Sequence, residues 1–94
     1  MSVRSCREIE AALTRKDFRV VTNDHRWLWF YYKGKKTTIR TLLSHGAPDY
    51  GDQLLGLMAR QLRLQRPQLN LLLDCPMSAE SYAGILIAAH HLRP

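Results

Sequence analysis

The stretch NDHRWLWFYYKGKKTTIRT, Asn23 to Thr41, holds five of the chain's eight aromatic residues between Trp27 and Tyr32, followed at once by lysines. Val, Ile, Thr and aromatic residues favour strands, so HRWLWFYY reads as a strand that begins at His25 and TTIRTLL as the strand that returns. Gly34 in KGKK supplies the tight turn between them. Side chains alternate along a strand, which puts His25, Trp27, Trp29 and Tyr31 on one face and Arg26, Leu28, Phe30 and Tyr32 on the other. Leu28 and Phe30 bury no polar atom, whereas Trp and Tyr carry N–H and O–H groups that need a partner or water. The first face is therefore expected to be the barer one and the second to meet the core. Two other covers remain open for the tryptophan face: the C-terminal helices, or a second molecule.

Working outward, FRVVT at Phe18 to Thr22 reads as a preceding strand, with Asn23 and Asp24 in the turn. Before it, Ser5 and Glu8 stand at capping-box spacing and Ile9, Ala12 and Leu13 share a side, predicting a helix over 5–16, with Val3 as a hydrophobic staple. SHGAPDYGD reads as a loop by its Gly, Pro and Asp content. Leu54, Leu55, Met58 and Leu62 then recur at helical spacing through about Leu64, and Arg60, Arg63 and Arg66 would complement that helix's dipole. Pro67 suits the first turn of a short helix through Leu73, and Ser78 can cap a last helix carrying Tyr82, Ile85, Leu86 and Ala89. A three-stranded antiparallel sheet with its helices on one face is the compact way to bury this order, an α+β fold.

At 94 residues the chain forms one small domain. Up to Gly46 there are ten Lys and Arg against four Asp and Glu, and beyond it four against four, so the whole net charge of +6 belongs to the part containing the opening stretch. That distribution suits a surface that meets a polyanion, and equally a solvated basic face. Cys6 and Cys75 form no CxxC pair and follow no secretory segment, which points to a reduced, cytoplasmic protein. The apolar runs LNLLL and GILIAA fall far short of the ~20 residues of a membrane span.

In SCREIEAALTRKDFRVV and NDHRWLWFYYKGKKTTI the chain resembles the HicA family of type II toxin-antitoxin modules, small basic endoribonucleases on a double-stranded-RNA-binding fold. The first segment is similar to the family's helix that ends in Gly-Phe/Trp and a strand. The second is similar to its Gly-Ser-His strand opening and polar hairpin, with Asn23-Asp24 here in place of Gly-Ser. KKTTIRTLLSHGAPDYGDQLLGLMARQLRL looks like a variant group within the family. The resemblance implies an α-β-β-β-α double-stranded-RNA-binding-like core over 1–64, to which 65–94 adds one or two short helices packed on the same domain. It implies a toxin that cleaves messenger RNA, a cognate HicB-like antitoxin, and His25 at the catalytic position.

The chemistry such a site needs is modest. The 2′-hydroxyl of RNA is an internal nucleophile, so a histidine that takes its proton and cations that stabilise the phosphoryl oxygens suffice, with no metal or other cofactor. From the residues alone, His25 is open to two readings, proton-transfer group or inert surface residue. His45 in LSHG is a second candidate for the acid that protonates the leaving oxygen, or a plain loop residue. No spacing among His25, His45, His90 and His91 makes a zinc site. Arg26, Trp27, Trp29, Lys33, Lys35, Lys36 and Arg40 are the expected nucleic-acid contacts, the aromatics stacking bases of single-stranded RNA and the cations meeting phosphates. A charged hairpin that discourages edge-to-edge aggregation is a compatible duty. A homo-oligomer and a non-catalytic binding or protein-interaction role remain open.

Overall fold

Ser5 opens the first helix as its spacing to Glu8 predicts, its hydroxyl accepting from the Glu8 amide at 3.1 Å. The computed structural model describes residues 3–22, 25–43, 49–74 and 76–93. Helix α1 spans Cys6–Thr14 and buries Ile9, Ala12 and Leu13. Val3 is 63 % exposed and closes no staple.

Strands β2 (Phe18–Thr22), β3 (Arg26–Tyr32) and β4 (Lys35–Leu43) form an antiparallel meander in the order β2-β3-β4. Lys33 and Gly34 link the second pair with φ of 52° and 79°, the two positive angles of a type I′ hairpin turn, which matches strand twist. The expected turn at Asn23-Asp24 lies outside the described residues.

The β3–β4 register carries an irregularity that matters for the outer face. Trp29 pairs with Arg40 and Tyr31 with Lys36, so four steps of β4 oppose two of β3. Thr37 fills the break: its hydroxyl donates to the Phe30 carbonyl at 2.7 Å and accepts from the Ile39 amide at 3.1 Å. Because the excess is two residues, Lys36 stays on the same face as Arg40; an excess of one would have turned it inward.

Helices α2 (Asp52–Gln61), α3 (Arg66–Leu73) and α4 (Ala79–Ala88) follow, the last capped by Ser78 as expected. Arg66 belongs to the first turn of α3, where it meets Asn70 and Asp52, rather than to the end of α2. Arg63 takes up φ 63° just beyond α2, and the Leu64 amide reaches back to the Ala59 carbonyl at 2.8 Å.

One pairing escapes the sequence reading. Arg4–Ser5 (β1) and Asp49–Tyr50 (β5) form a two-residue antiparallel ladder. Tyr50 is buried and its hydroxyl donates to the Leu42 carbonyl at 3.2 Å, which ties this ladder to β4.

The core lies between one sheet face and the helices. Phe18, Leu28, Phe30, Ile39 and Leu43 point into it, with Leu13, Leu55, Met58, Leu69, Leu72, Tyr82 and Leu86 opposite. Each fully buried side chain of this size contributes about 1.5–3 kcal/mol. Tyr82 sits edge-on to Phe30 at 4.9 Å and stacks on Phe18 at 5.9 Å, and its hydroxyl donates to the Leu62 carbonyl at 2.7 Å. Burial pushes the Tyr82 phenol far up from its ordinary value. Lys16 runs beneath the same helix to donate to the Met77 carbonyl. Helices α3 and α4 thus complete the core that the sheet begins. The chain is a mixed α+β fold with four helices and a three-stranded antiparallel sheet among the described residues.

Candidate nucleic-acid interface

Alternation sends Arg19, Val21, Trp27, Trp29, Tyr31, Lys36, Arg40 and Leu42 to the face opposite the core. The C-terminal helices do not lie there, since Tyr82 of α4 packs on Phe18 and Phe30 from the other side. Trp27, Trp29 and Tyr31 are partly exposed, and Arg19, Lys36 and Arg40 are exposed.

The cations lie over the rings. The Arg40 guanidinium is 4.0 Å from the Trp27 centroid and 5.0 Å from that of Trp29. Lys36 Nζ stands 4.0 Å over Trp29, and the Arg19 guanidinium 4.3 Å over Tyr31. Trp29 is the middle of this arrangement, directly opposite Arg19 on β2 and Arg40 on β4. Each of these contacts is worth about 0.5–1 kcal/mol at an exposed site. A base stacking on an aromatic ring gains about 1–3 kcal/mol, enough to displace one such cation. Displacement also frees the cation for the phosphate of that nucleotide. Among the described residues no Asp or Glu belongs to this face.

The expected site residues divide by position. Trp27, Trp29, Lys36 and Arg40 come together as described. Lys33 and Lys35 are exposed at the hairpin turn, where Lys33 Nζ lies 5.3 Å from the Tyr32 ring. Arg26 stands apart: it points to the helix-covered side, where its Nη2 donates to the Glu10 carboxylate of α1 at 2.8 Å and its Nε lies 2.6 Å from the other carboxylate oxygen. In that ion pair it is a strut between sheet and helix. His25 is exposed and lies one residue ahead of β3, because the ladder begins with Arg26 opposite Thr22 and Leu43. His45 lies outside the described residues.

Arg19 is a member of the face that was not singled out in the sequence, while Tyr31 was placed on the face by alternation without being named among the expected contacts. The signal for Arg19 was present, since a lone Arg between Phe18 and Val20 must point opposite to them in a strand. Burial pushes the Cys6 thiol up from its ordinary value, with the Asp49 charge adding to that effect, which disfavours the reactive thiolate. Among the described residues no three His, Cys, Asp or Glu side chains gather as metal ligands, and no helix is long and apolar enough to cross a membrane.

No family model, curated protein or solved structure matches this chain.

Proposed function

We propose that the bare sheet face binds single-stranded RNA and that the protein is a metal-independent endoribonuclease of the HicA kind, acting in the cytoplasm. The observation that carries the RNA-binding reading is the ladder of Trp27, Trp29 and Tyr31 interleaved with Arg40, Lys36 and Arg19, free of acidic side chains. Aromatic faces receive bases of any sequence, guanidinium planes stack on bases too, and the same cations neutralise phosphates.

His25 is the cleaving group in this reading. Its place rests on the resemblance in NDHRWLWFYY, and its exposure beside the strand that bears both tryptophans leaves it accessible to a strand lying on them. It would take the 2′-hydroxyl proton while neighbouring cations stabilise the phosphoryl oxygens of the transition state. A HicB-like antitoxin would silence the protein by covering the same aromatic face.

Incubation with unstructured RNA in EDTA, comparing wild type with folded His25→Ala and Trp29→Ala variants, tests both parts. The expected result is cleavage by wild type alone, with RNA binding retained by His25→Ala and weakened by Trp29→Ala. Binding without cleavage by any of the three sinks the enzyme and leaves an RNA-binding module. Weak, salt-insensitive binding by wild type sinks both in favour of a protein-interaction face, because phosphate contacts must weaken as salt rises.

A further inference from the structure

The aromatic ladder ends at Lys36, and Lys36 also lines a cleft of about 1010 Å³ between the β3–β4 hairpin and the end of α4. We propose that this cleft is a second phosphate-binding subsite, which receives the backbone of the same RNA strand as it leaves the aromatic face. The inference rests on the RNA-binding reading above and adds the strand's path to it.

Two elements build the subsite from opposite sides. The hairpin contributes Lys33, Lys35 and Lys36, and the chain beyond α4 contributes His90, His91 and Arg93. Among the described residues no Asp or Glu lines the cleft. The hairpin's cations are held by its I′ turn, at Lys33 and Gly34. On the other wall, Ala89 ends α4 and His90 takes up φ 63°, a left-handed residue that reverses the chain. The His91 amide then reaches the Leu86 carbonyl at 2.8 Å and the His90 amide the Ile87 carbonyl at 3.0 Å, so the backbone that carries the two imidazoles is fixed by hydrogen bonds.

Charge selects the ligand. The carbonyl end of α4 lies at the cleft and amounts to about half a negative charge. Four permanent cations, Lys33, Lys35, Lys36 and Arg93, outweigh it. An anion with several oxygens spaced along a chain fits better than a single small ion, because the cations are spread over both walls. A phosphodiester backbone has that form, and Lys36, 4.0 Å over Trp29, makes the track continuous from stacked bases to cleft.

The test compares 2′-O-methyl RNA, which lacks the nucleophile and is not cut, of about 4 and about 12 nucleotides, lengths that bracket one binding face and the face plus cleft. Affinity is measured against salt for wild type and for the His91→Gln/Arg93→Ala variant, both of whose positions are exposed. For two extra phosphates, the slope of log K against log salt should be steeper for the longer RNA by about 1.4. The variant should bind the longer RNA at least about tenfold more weakly and the shorter one unchanged. In the wild type, imidazole NMR signals of His90 and His91 should move with the longer RNA alone. Equal slopes for both lengths, unmoved imidazole signals, or equal losses on both RNAs in the variant would each overturn the subsite while leaving the aromatic face intact. If wild type binds neither length, the RNA-binding reading falls, and the subsite with it.

Discussion

The two faces of the β2-β3-β4 sheet are made by neighbouring residues of the same strands, yet they solve opposite problems. Leu28 and Phe30 are essentially sealed from water, at 0 % and 1 % exposure, under four helices' worth of apolar side chains. Trp27 and Trp29, one position away, keep partial access to solvent and are overlaid by Arg40 and Lys36. The covered face is held by area removed from water, the open one by cations lying on rings. The difference teaches that aromatic content alone does not mark a core. What marks this core is a face whose polar atoms are absent, as in Leu28 and Phe30, or satisfied, as in buried Thr41, whose hydroxyl donates to Gln61 Oε1 at 2.6 Å.

The largest effect should come from truncating the covered face. Phe30→Ala empties a site between Phe18 and Tyr82 and should cost about 3–5 kcal/mol in urea unfolding, enough to unfold much of a domain of this size. If Trp29→Ala cost as much, the distinction between the faces would fail. Its expected signature lies in binding: RNA affinity should drop by about 1–3 kcal/mol in a fluorescence titration. Its stability should fall by only about 1–2 kcal/mol, from the two lost cation contacts.

The hairpin that holds both faces in register offers a finer probe. Gly34 has φ 79° with open space where a Cβ would stand, so Gly34→Ala isolates backbone strain. It should lower stability by about 1–2 kcal/mol in thermal unfolding, with the fold retained. A neutral outcome would mean that the turn does not constrain the register.

The smallest effect tests a joint remote from both faces. Arg4 grips the Asp74 carboxylate through two nitrogens at 2.7 and 2.9 Å, linking β1 to the end of α3. That hydrogen-bonded guanidinium pulls the Asp74 carboxyl below its ordinary 3.8. A lowered folded value means that the contribution is present at neutral pH, begins to fade as pH falls below the ordinary value, and is gone once pH passes through the folded one. Since Asp74 is half exposed, Asp74→Asn should cost only about 0.2–1 kcal/mol at neutral pH and nothing in strong acid, as pH-resolved unfolding would register. An equal cost at both pH values would assign the loss to packing instead.

Much of this was legible before any coordinates. The order of the main elements, the caps at Ser5 and Ser78, the turn at Gly34 and the choice of Leu28 and Phe30 for the core follow from short-range rules whose physics is local. The β1–β5 ladder was not legible, because two pairs joined across 46 and 44 positions leave no periodic trace. Arg26 misled for a related reason. Its charge and its place beside the tryptophans suit a phosphate contact, but its partner Glu10 lies sixteen residues away on α1.

The sequence by itself determined the alternation that separates Trp27, Trp29 and Tyr31 from Leu28 and Phe30, since a strand's period of two is a property of the backbone. It also determined that the positive charge collects before Gly46. Only the tertiary structure decided that α4 covers the Phe30 face and that a two-residue excess in β4 keeps Lys36 outward. It alone brought His90, His91 and Arg93 to the hairpin's lysines, because packing joins segments more than fifty residues apart and no local preference can specify which cations become neighbours.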